Sequence, residues 1–304
     1  MTPTPTTPAS RRTAAPFLGK TLRGLAHTLE ATLPRVKARA DEEAIHDMRV
    51  AIRRLRVLLK LSRKVFGRFH TNAVRGALTL VHRASGALRD EEVLRETLTA
   101  LHVKDAAFAR WLDLRRVREA RLRRTVVAEI DRGALAKPLA LLRALLILPV
   151  PKPIALEPFA FRCAERARKG VEKLRNVPTS DASGLHELRI AYKGLRYTTE
   201  LLGPVLPADV AAHAGPAARF QKRLGEIHDL DMAAGSILRA RTLPPRTRAH
   251  VLAALHQARH LAVQAYLREM HPSQAGAGPV RRGGGGAGKP RGGTRRSPAR
   301  ARTR

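Results

Sequence analysis

The sequence contains one cysteine, Cys163, so the chain cannot form an internal disulfide or assemble a cysteine-based metal site. Long hydrophobic runs are missing too. The longest, Leu139–Val150, is interrupted by Arg143 and is too short to span a bilayer. The N-terminal residues include Arg11 and Arg12 and no apolar stretch typical of a secretory signal. We therefore expect a cytoplasmic protein that does not contact a membrane.

Aromatic residues make up only 4% of the chain, which leaves few side chains on which nucleic-acid bases could stack. Helix-turn-helix, RRM and zinc-finger signatures are absent. Among catalytic motifs, neither H-E-x-x-H nor G-x-S-x-G occurs, and the C-terminal glycine run lacks the context of a P-loop. His256 and His260 lie one helical turn apart but have no carboxylate near them in the sequence. We expect no enzymatic activity, no metal and no cofactor.

Acidic residues are scarce, with 25 Asp and Glu against 58 Lys and Arg, which gives a net charge of +33. The segment from Ser273 onward holds nine of these cations and no acid, so residues 1–272 still carry +24. Its Gly, Pro, Ser and Arg composition predicts disorder. This tail is either a solvated extension or an electrostatic arm that binds DNA by releasing counterions.

Alternation with period two is missing, which argues against strands. Apolar residues instead recur with helical spacing from near Ala15, in about ten segments, and predict an all-α fold. We divide the chain into a disordered N-terminus (1–13), a folded domain (14–272) and a disordered basic tail (273–304). Glycine and proline between Val126 and Glu157 mark a junction between two halves, at about 14–135 and 155–272.

Two segments, 140 positions apart, repeat one pattern: IHDMRVAIRRLRVLLK from Ile45 and LHELRIAYKGLRYTTE from Leu185. At 100° per residue, the four matched polar positions of each copy lie within about 80° of arc on one helix face. A solvated stripe would normally interleave Glu with its Arg, whereas this one is largely uncompensated. The duplication favours a surface that faces a polyanion. The matched pairs are His46/His186, Arg49/Arg189, Arg53/Lys193 and Arg56/Arg196.

A second repeated element, G-x3-D-x-[DE], follows each basic helix. Its glycine permits close helix approach or a local break. Its aspartate either caps a helix or pairs with a neighbouring arginine, and we favour such a structural role over chemistry. A cation precedes the motif in each copy, Arg83 in the first and Lys222 in the second. The residue directly before the aspartate is Arg89 in the first copy and His228 in the second. The matched motif residues are Gly86/Gly225, Asp90/Asp229 and Glu92/Asp231.

Together the two motifs resemble the CHAD family, the conserved-histidine α-helical domain, over roughly residues 14–272. This resemblance implies two helical bundles related by a pseudo-twofold axis, whose basic helices line a central channel that binds inorganic polyphosphate. The E-x-E-x-K signature of the CYTH triphosphatase domain is absent, so the chain resembles a standalone member. The second copy departs from the first by having Lys193 and Gly194 where Arg53 and Arg54 stand.

We therefore predict non-catalytic binding of polyphosphate and an association with polyphosphate granules. The alternative is a general nucleic-acid-binding protein that uses both body and tail. A field of arginines should also lower the pKa of the stripe histidines. The predicted polyphosphate-binding residues are His46, Arg49, Arg53, Arg56, Lys60, Arg83, Arg89, His186, Arg189, Lys193, Arg196, Lys222 and His228.

Overall fold

Helices account for nearly all of the regular structure in a computed structural model that describes residues 12–38, 41, 43–150 and 152–271. Within these residues no strand forms, and one isolated antiparallel bridge joins Thr13 to Ala155. The predicted all-α class is confirmed. The α-helices of the described residues are α1 (Ala14–Ala38), α2 (Glu43–Leu61), α3 (Arg63–Phe66), α4 (Arg68–Ala84), α5 (Gly86–Thr99), α6 (Ala106–Asp131), α7 (Ala136–Ile147), α8 (Leu156–Glu172), α9 (Ala182–Leu202), α10 (Ala208–Ala211), α11 (Ala214–Leu238) and α12 (Pro245–Met270).

The structure describes the two ends of the chain only in part. The tail from Ser273, predicted to be disordered, lies outside the described residues, as do residues 1–11. Arg12 and Thr13, which the sequence assigned to the disordered N-terminus, are described. The Arg12 carbonyl accepts a 2.9 Å hydrogen bond from the Leu156 amide, and the Arg12 guanidinium pairs with Glu157 at 2.9 Å. These contacts tie the start of α1 to the start of α8.

The bounds of α9 follow from local chemistry. Asp181 is its N-cap, and the carboxylate accepts a 2.9 Å hydrogen bond from the Gly184 amide. A Cβ at Gly184 would lie 2.5 Å from both Asp181 Oδ2 and Val177 Cγ1, so only glycine fits beneath this cap. The helix ends at Leu202, shortly before Pro204, because proline cannot continue a helix.

The apolar faces of the two basic helices are buried, as their spacing predicts. On α9, Leu185, Leu188, Tyr192 and Leu195 pack with α11 and α12. The corresponding residues of α2 belong to the largest core, together with residues of α1, α4, α6, α7 and the end of α9. Burial of one face fixes the direction of the other. The buried apolar residues of α2 are Ile45, Met48, Ile52, Leu55, Leu58 and Leu59.

Contacts between elements bring the two repeats together. The basic helices α2 and α9 pack directly against each other, and so do α5 and α11, which carry the second motif. A third core joins α5 and α6 to α11 and α12. The pseudo-twofold relation between the halves stays a prediction. None of the described helices is both long enough and apolar enough to cross a membrane.

Candidate functional site

The first basic stripe begins with a buried arginine. Arg49 is only 7% exposed, and its Nη1 donates to the His82 carbonyl at 3.0 Å and to Ser85 Oγ at 2.5 Å. Burial, assisted by the charge of Arg53, lowers the pKa of Arg49 to about 10, so the group stays charged at neutral pH. Arg49 therefore binds α2 to the turn between α4 and α5.

The two basic helices meet through polar contacts. Arg53 Nη1 donates to the Tyr197 hydroxyl at 3.3 Å, and Arg54 Nη2 donates to Glu200 at 3.4 Å. Glu200 also accepts from Arg196 Nε at 2.7 Å, so the carboxylate that the sequence places at the end of the second stripe neutralises part of it. The stripes face each other across this crossing.

Lys193 lies where the charges converge. Burial lowers the pKa of its ammonium group to about 7, and the positive charges of Arg53, Arg189, Arg49 and Arg56 lower it further in that order. Three of these arginines, Arg49, Arg53 and Arg56, belong to α2, and Arg189 belongs to α9. We call Arg49, Arg53, Arg56, Arg189 and Lys193 the central cluster.

His82 on α4 faces the same cluster, although the sequence did not single it out. Burial and then the charges of Arg49, Arg56, Arg53 and Lys193 lower its pKa to about 3, so the imidazole is neutral. Its Nε2 atom is buried without a hydrogen-bond partner. At the 139-residue offset of the second motif, Gln221 occupies the matching position, and its Oε1 is likewise buried and unpartnered. Comparing the residues just before Arg83 and Lys222 would have revealed this pair.

A pocket of about 550 Å³ extends the site between α9 and α11, and Arg189, Arg196, Lys222 and Asp229 line it. Gly225 allows Arg189 to lie against α11, because a Cβ there would be 3.4 Å from Arg189 Nε. That Nε is buried and has no partner. The predicted close approach at this glycine is therefore present in the second copy. Its equivalent in the first copy has nothing within 4 Å of the same point.

The acids of the second motif bind arginines. Glu92 accepts from Arg123 of α6 at 2.9 Å and from Arg89 at 3.3 Å. Asp231, its counterpart, accepts from Arg259 of α12 at 2.5 Å. Each copy thus uses this acid to hold an arginine of a later helix. The motif aspartates themselves, Asp90 and Asp229, lie within α5 and α11 and so do not cap a helix, and their expected pairing with an arginine stays a prediction.

Two predicted histidines form a pair beside Arg189. The Nδ1 atoms of His186 and His228 are 3.3 Å apart, so one ring donates to the other. Burial, then the charges of Arg189 and His186, lower the pKa of His228. His46 is half-buried on α2. Among the described residues, no group of three or more His, Cys, Asp or Glu side chains is placed to hold a metal.

The remaining predicted residues lie at the edge of the central cluster or outside it. Arg83 is exposed, but its charge helps lower the pKa of Arg56. Arg89 pairs with Glu92 and Glu96 and is therefore largely compensated. Lys60 is exposed and lines a different groove, of about 900 Å³. The structure thus gathers the inner residues of both stripes and leaves Lys60 apart from them.

Comparison with known proteins identifies the family of the chain. The family model for the CHAD domain matches residues 20–238, more than half of the chain, and the protein belongs to the CHAD domain family. The match ends before α12, which nevertheless packs in two of the cores.

Solved structures share the fold. The crystal structure of the CHAD domain from the plant Ricinus communis matches with a TM-score of 0.64 and 19% identity, over 87% of this chain and 90% of that one. PptA from Streptomyces chartreusis matches with a TM-score of 0.65 and 18% identity, over 86% of this chain and 100% of that one. No curated protein matches the sequence significantly.

Proposed function

We propose that this protein binds inorganic polyphosphate at the central cluster, without converting it chemically. The observation that carries the proposal is the position of Lys193, half-buried among arginines from both repeats. Like charges held this close repel one another, and a polyanion that enters the site relieves that repulsion. Arginine suits phosphate oxygens because its planar guanidinium donates two parallel hydrogen bonds.

The shape of the site favours a thin chain over a duplex. The cluster lies between packed helices, and Arg49 and the Nε atoms of Arg56 and Arg189 are buried. A linear chain of phosphates has no bases to accommodate and can approach these side chains closely. Duplex DNA presents its phosphates on a wide surface and would contact mainly the exposed cations. Membership of the CHAD domain family leads to the same expectation, that the ligand is polyphosphate.

Binding without catalysis is favoured by the partners of the nearby acids. Three of the nearby acids, Glu92, Asp231 and Glu200, accept hydrogen bonds from arginines. Burial raises the pKa of a fourth, Asp229, which disfavours its charged form. A phosphoryl-transfer site normally needs carboxylates available to hold Mg²⁺ against the phosphates. We accordingly propose a role in targeting to polyphosphate granules or in organising them.

The experiment is a comparison of fluorescent polyphosphate of defined length with duplex DNA of equal charge, by anisotropy at several salt concentrations. We expect tighter binding of polyphosphate at physiological salt, and a smaller loss of affinity as salt rises, because contacts made inside the site exclude salt better than surface contacts. Equal or tighter binding of DNA by a chain lacking the tail would refute the proposal.

A second candidate function rests on the tail. The nine cations after Ser273, with no acid among them, are suited to non-specific binding of nucleic acid through counterion release. DNA would then be held outside the central cluster, and both activities would coexist in the full chain. DNA binding that disappears with the tail, while polyphosphate binding persists, supports this division.

A further inference from the structure

A second basic cavity, distinct in composition from the central cluster, lies on the α8 side of α9. Its volume is about 900 Å³, and residues of α2, α3, α4, α8 and α9 line it. Six cations of the described residues border this groove; five are exposed and Arg63 is half-buried. We call them the rim: Lys60, Arg63, Lys64, Arg68, Arg162 and Arg166.

The rim is uncompensated. None of its cations forms an ion pair with a carboxylate of the described residues, and none of the described residues lining the groove is acidic. The Nε atom of Arg63 is buried with no hydrogen-bond partner. Elsewhere, exposed arginines such as Arg132 and Arg143 do find carboxylates. The rim is therefore a concentrated positive charge with no internal counterpart.

The floor of the groove is apolar, unlike the central cluster. Phe159 is buried beneath it, and Ile190 is 53% exposed toward it. Gly170 and Gly194 also line the groove, and a Cβ at either position would meet nothing within 4 Å. The first repeat has Arg54 where the second has Gly194. The absence of a side chain at this position of the second repeat keeps the floor of the groove open.

The groove uses a different face of α9 from the basic stripe. At 100° per residue, Ile190, Gly194 and Thr198 are centred about 130° from Arg189, Lys193 and Arg196. A ligand can therefore occupy the groove without displacing one from the stripe.

We propose that this groove binds a single-chain anionic amphiphile, with a carboxylate or phosphate head on the rim and an alkyl tail on the floor. The volume lies within the range of about 300–1,000 Å³ typical of small-molecule sites. Bare polyphosphate would gain nothing from an apolar floor. Among the described residues that line the groove, Phe159 is the only aromatic one, and it is buried, so a nucleobase would lack a stacking surface. Each buried CH₂ of an alkyl tail should tighten binding about fourfold.

Cys163 provides the test, because it is the only cysteine of the chain and it lines the groove. Its thiol is half-buried. In the full-length protein, laurate or dodecyl phosphate below its micellar concentration should slow maleimide labelling of Cys163. At about ten times Kd the unoccupied fraction falls to roughly a tenth, so labelling should slow about tenfold. Comparing the two probes distinguishes a carboxylate head from a phosphate head.

Two control ligands separate the alternatives. Dodecyltrimethylammonium has the same tail with a cationic head, and inorganic tripolyphosphate has the charge with no tail. Neither should protect Cys163. Equal protection by the cationic amphiphile would mean unspecific apolar binding. Protection by tripolyphosphate would mean that the groove belongs to a polyanion path. Either result, or the absence of saturable protection by both anionic probes, overturns the proposal.

Variants complete the design. Gly194→Leu should fill the floor and abolish amphiphile binding while leaving the fold intact, since the space above that glycine is open. As a second route, the triple change of Lys64, Arg162 and Arg166 to Gln removes exposed charges and should weaken binding of both anionic probes at least about tenfold, since the loss of a single charge-assisted contact typically lowers affinity about tenfold or more.

Polyphosphate titration of the same variants keeps this proposal separate from the proposed function. Both groove variants should keep polyphosphate affinity within about twofold, because neither alters the central cluster. Unchanged amphiphile binding in both variants would place the amphiphile elsewhere and refute the groove assignment.

Discussion

At the scale of single residues, the cations of the two stripes have different roles. Arg49 is buried and hydrogen-bonded, Arg53 contacts Tyr197, and Lys193 is a half-buried amine among arginines. Their sequence pattern presents them as equivalent. The difference arises from where each side chain ends, which depends on helices far away in the chain.

Lys193 should couple polyphosphate binding to protons. Its folded pKa, lowered to about 7, lies below the ordinary value of a lysine in the unfolded chain. Between those two values the unfolded state holds more protons, so the unliganded fold should gain stability as pH rises. Bound polyphosphate would restore the proton. Affinity should therefore fall as pH rises above about 7, with proton uptake visible by calorimetry in buffers of different ionisation enthalpy.

Lys193→Arg serves as the control for this coupling. An arginine keeps the charge throughout that range, so its binding should show little pH dependence and little proton uptake. The same proton uptake in Lys193→Arg as in the native protein would assign the effect to another group. His82 would not account for it, because its pKa of about 3 keeps it neutral there.

Arg49 should prove structural as well as ligand-facing. Replacing it with alanine removes the donor for the His82 carbonyl and for Ser85 Oγ and leaves a cavity. Unsatisfied buried groups of this kind cost about 1–3 kcal/mol each, so the free energy of unfolding in urea should fall by about 2 kcal/mol or more. Arg53→Ala should cost less than about 1 kcal/mol, because it loses one long hydrogen bond and also relieves the repulsion of Arg53 with Arg49, Arg56 and Lys193. Equal losses in the two variants would contradict this distinction.

At the scale of elements, the local sequence pattern predicted which face of each basic helix is buried, but not which helices pack against it. The apolar spacing of α2 and α9, the Asp181 cap and the prolines after α9 all act within a few residues, and the apolar face that the spacing predicts is buried in both helices. Packing of α2 against α9 depends on contacts more than a hundred residues apart. Periodicity therefore predicted both stripes but could not reveal His82 or the groove beside Lys60.

Removing charge from the central cluster should weaken polyphosphate binding far more than removing charge elsewhere. We predict that the triple change of Arg53, Arg56 and Lys193 to Gln lowers affinity at least about a hundredfold, since charge-assisted contacts contribute roughly 1.5–3 kcal/mol each. Glutamine keeps most of the side-chain length, so the fold should persist. Anisotropy measures the binding, and circular dichroism checks the helices.

The control must remove three cations that hold nothing in place. Arg115 and Arg118 are unsuitable although they lie outside both motifs, because they pair with the buried Glu91 at 3.4 and 3.0 Å. Arg110, Arg121 and Arg124 of the same helix are exposed, and their change to Gln should reduce affinity only through the diffuse field. If the control variant bound polyphosphate as weakly as the cluster variant, the two stripes would be ordinary charged surface.

At the scale of the whole molecule, charge is divided between two regions of different character. Residues 1–272 carry +24 and the tail carries the rest. In the body, part of the charge is held against packed helices, where salt screens it poorly. Composition alone revealed both amounts. Only the fold shows that cations from the two repeats converge on one place, so total charge could not distinguish a specific site from a generally basic surface.

Deleting residues 273–304 should separate these two contributions. Affinity for duplex DNA should fall, and the slope of log K against log salt should become shallower, because that slope scales with the number of phosphates neutralised. Polyphosphate affinity at physiological salt should change by less than about tenfold, since the tail adds only diffuse attraction to contacts made at the central cluster. A tail variant with its nine cations changed to Gln, at full length, controls for the loss of chain. Should truncation and charge removal both abolish polyphosphate binding, the tail would be the binding site and the central cluster would be only a packed junction between the two basic helices.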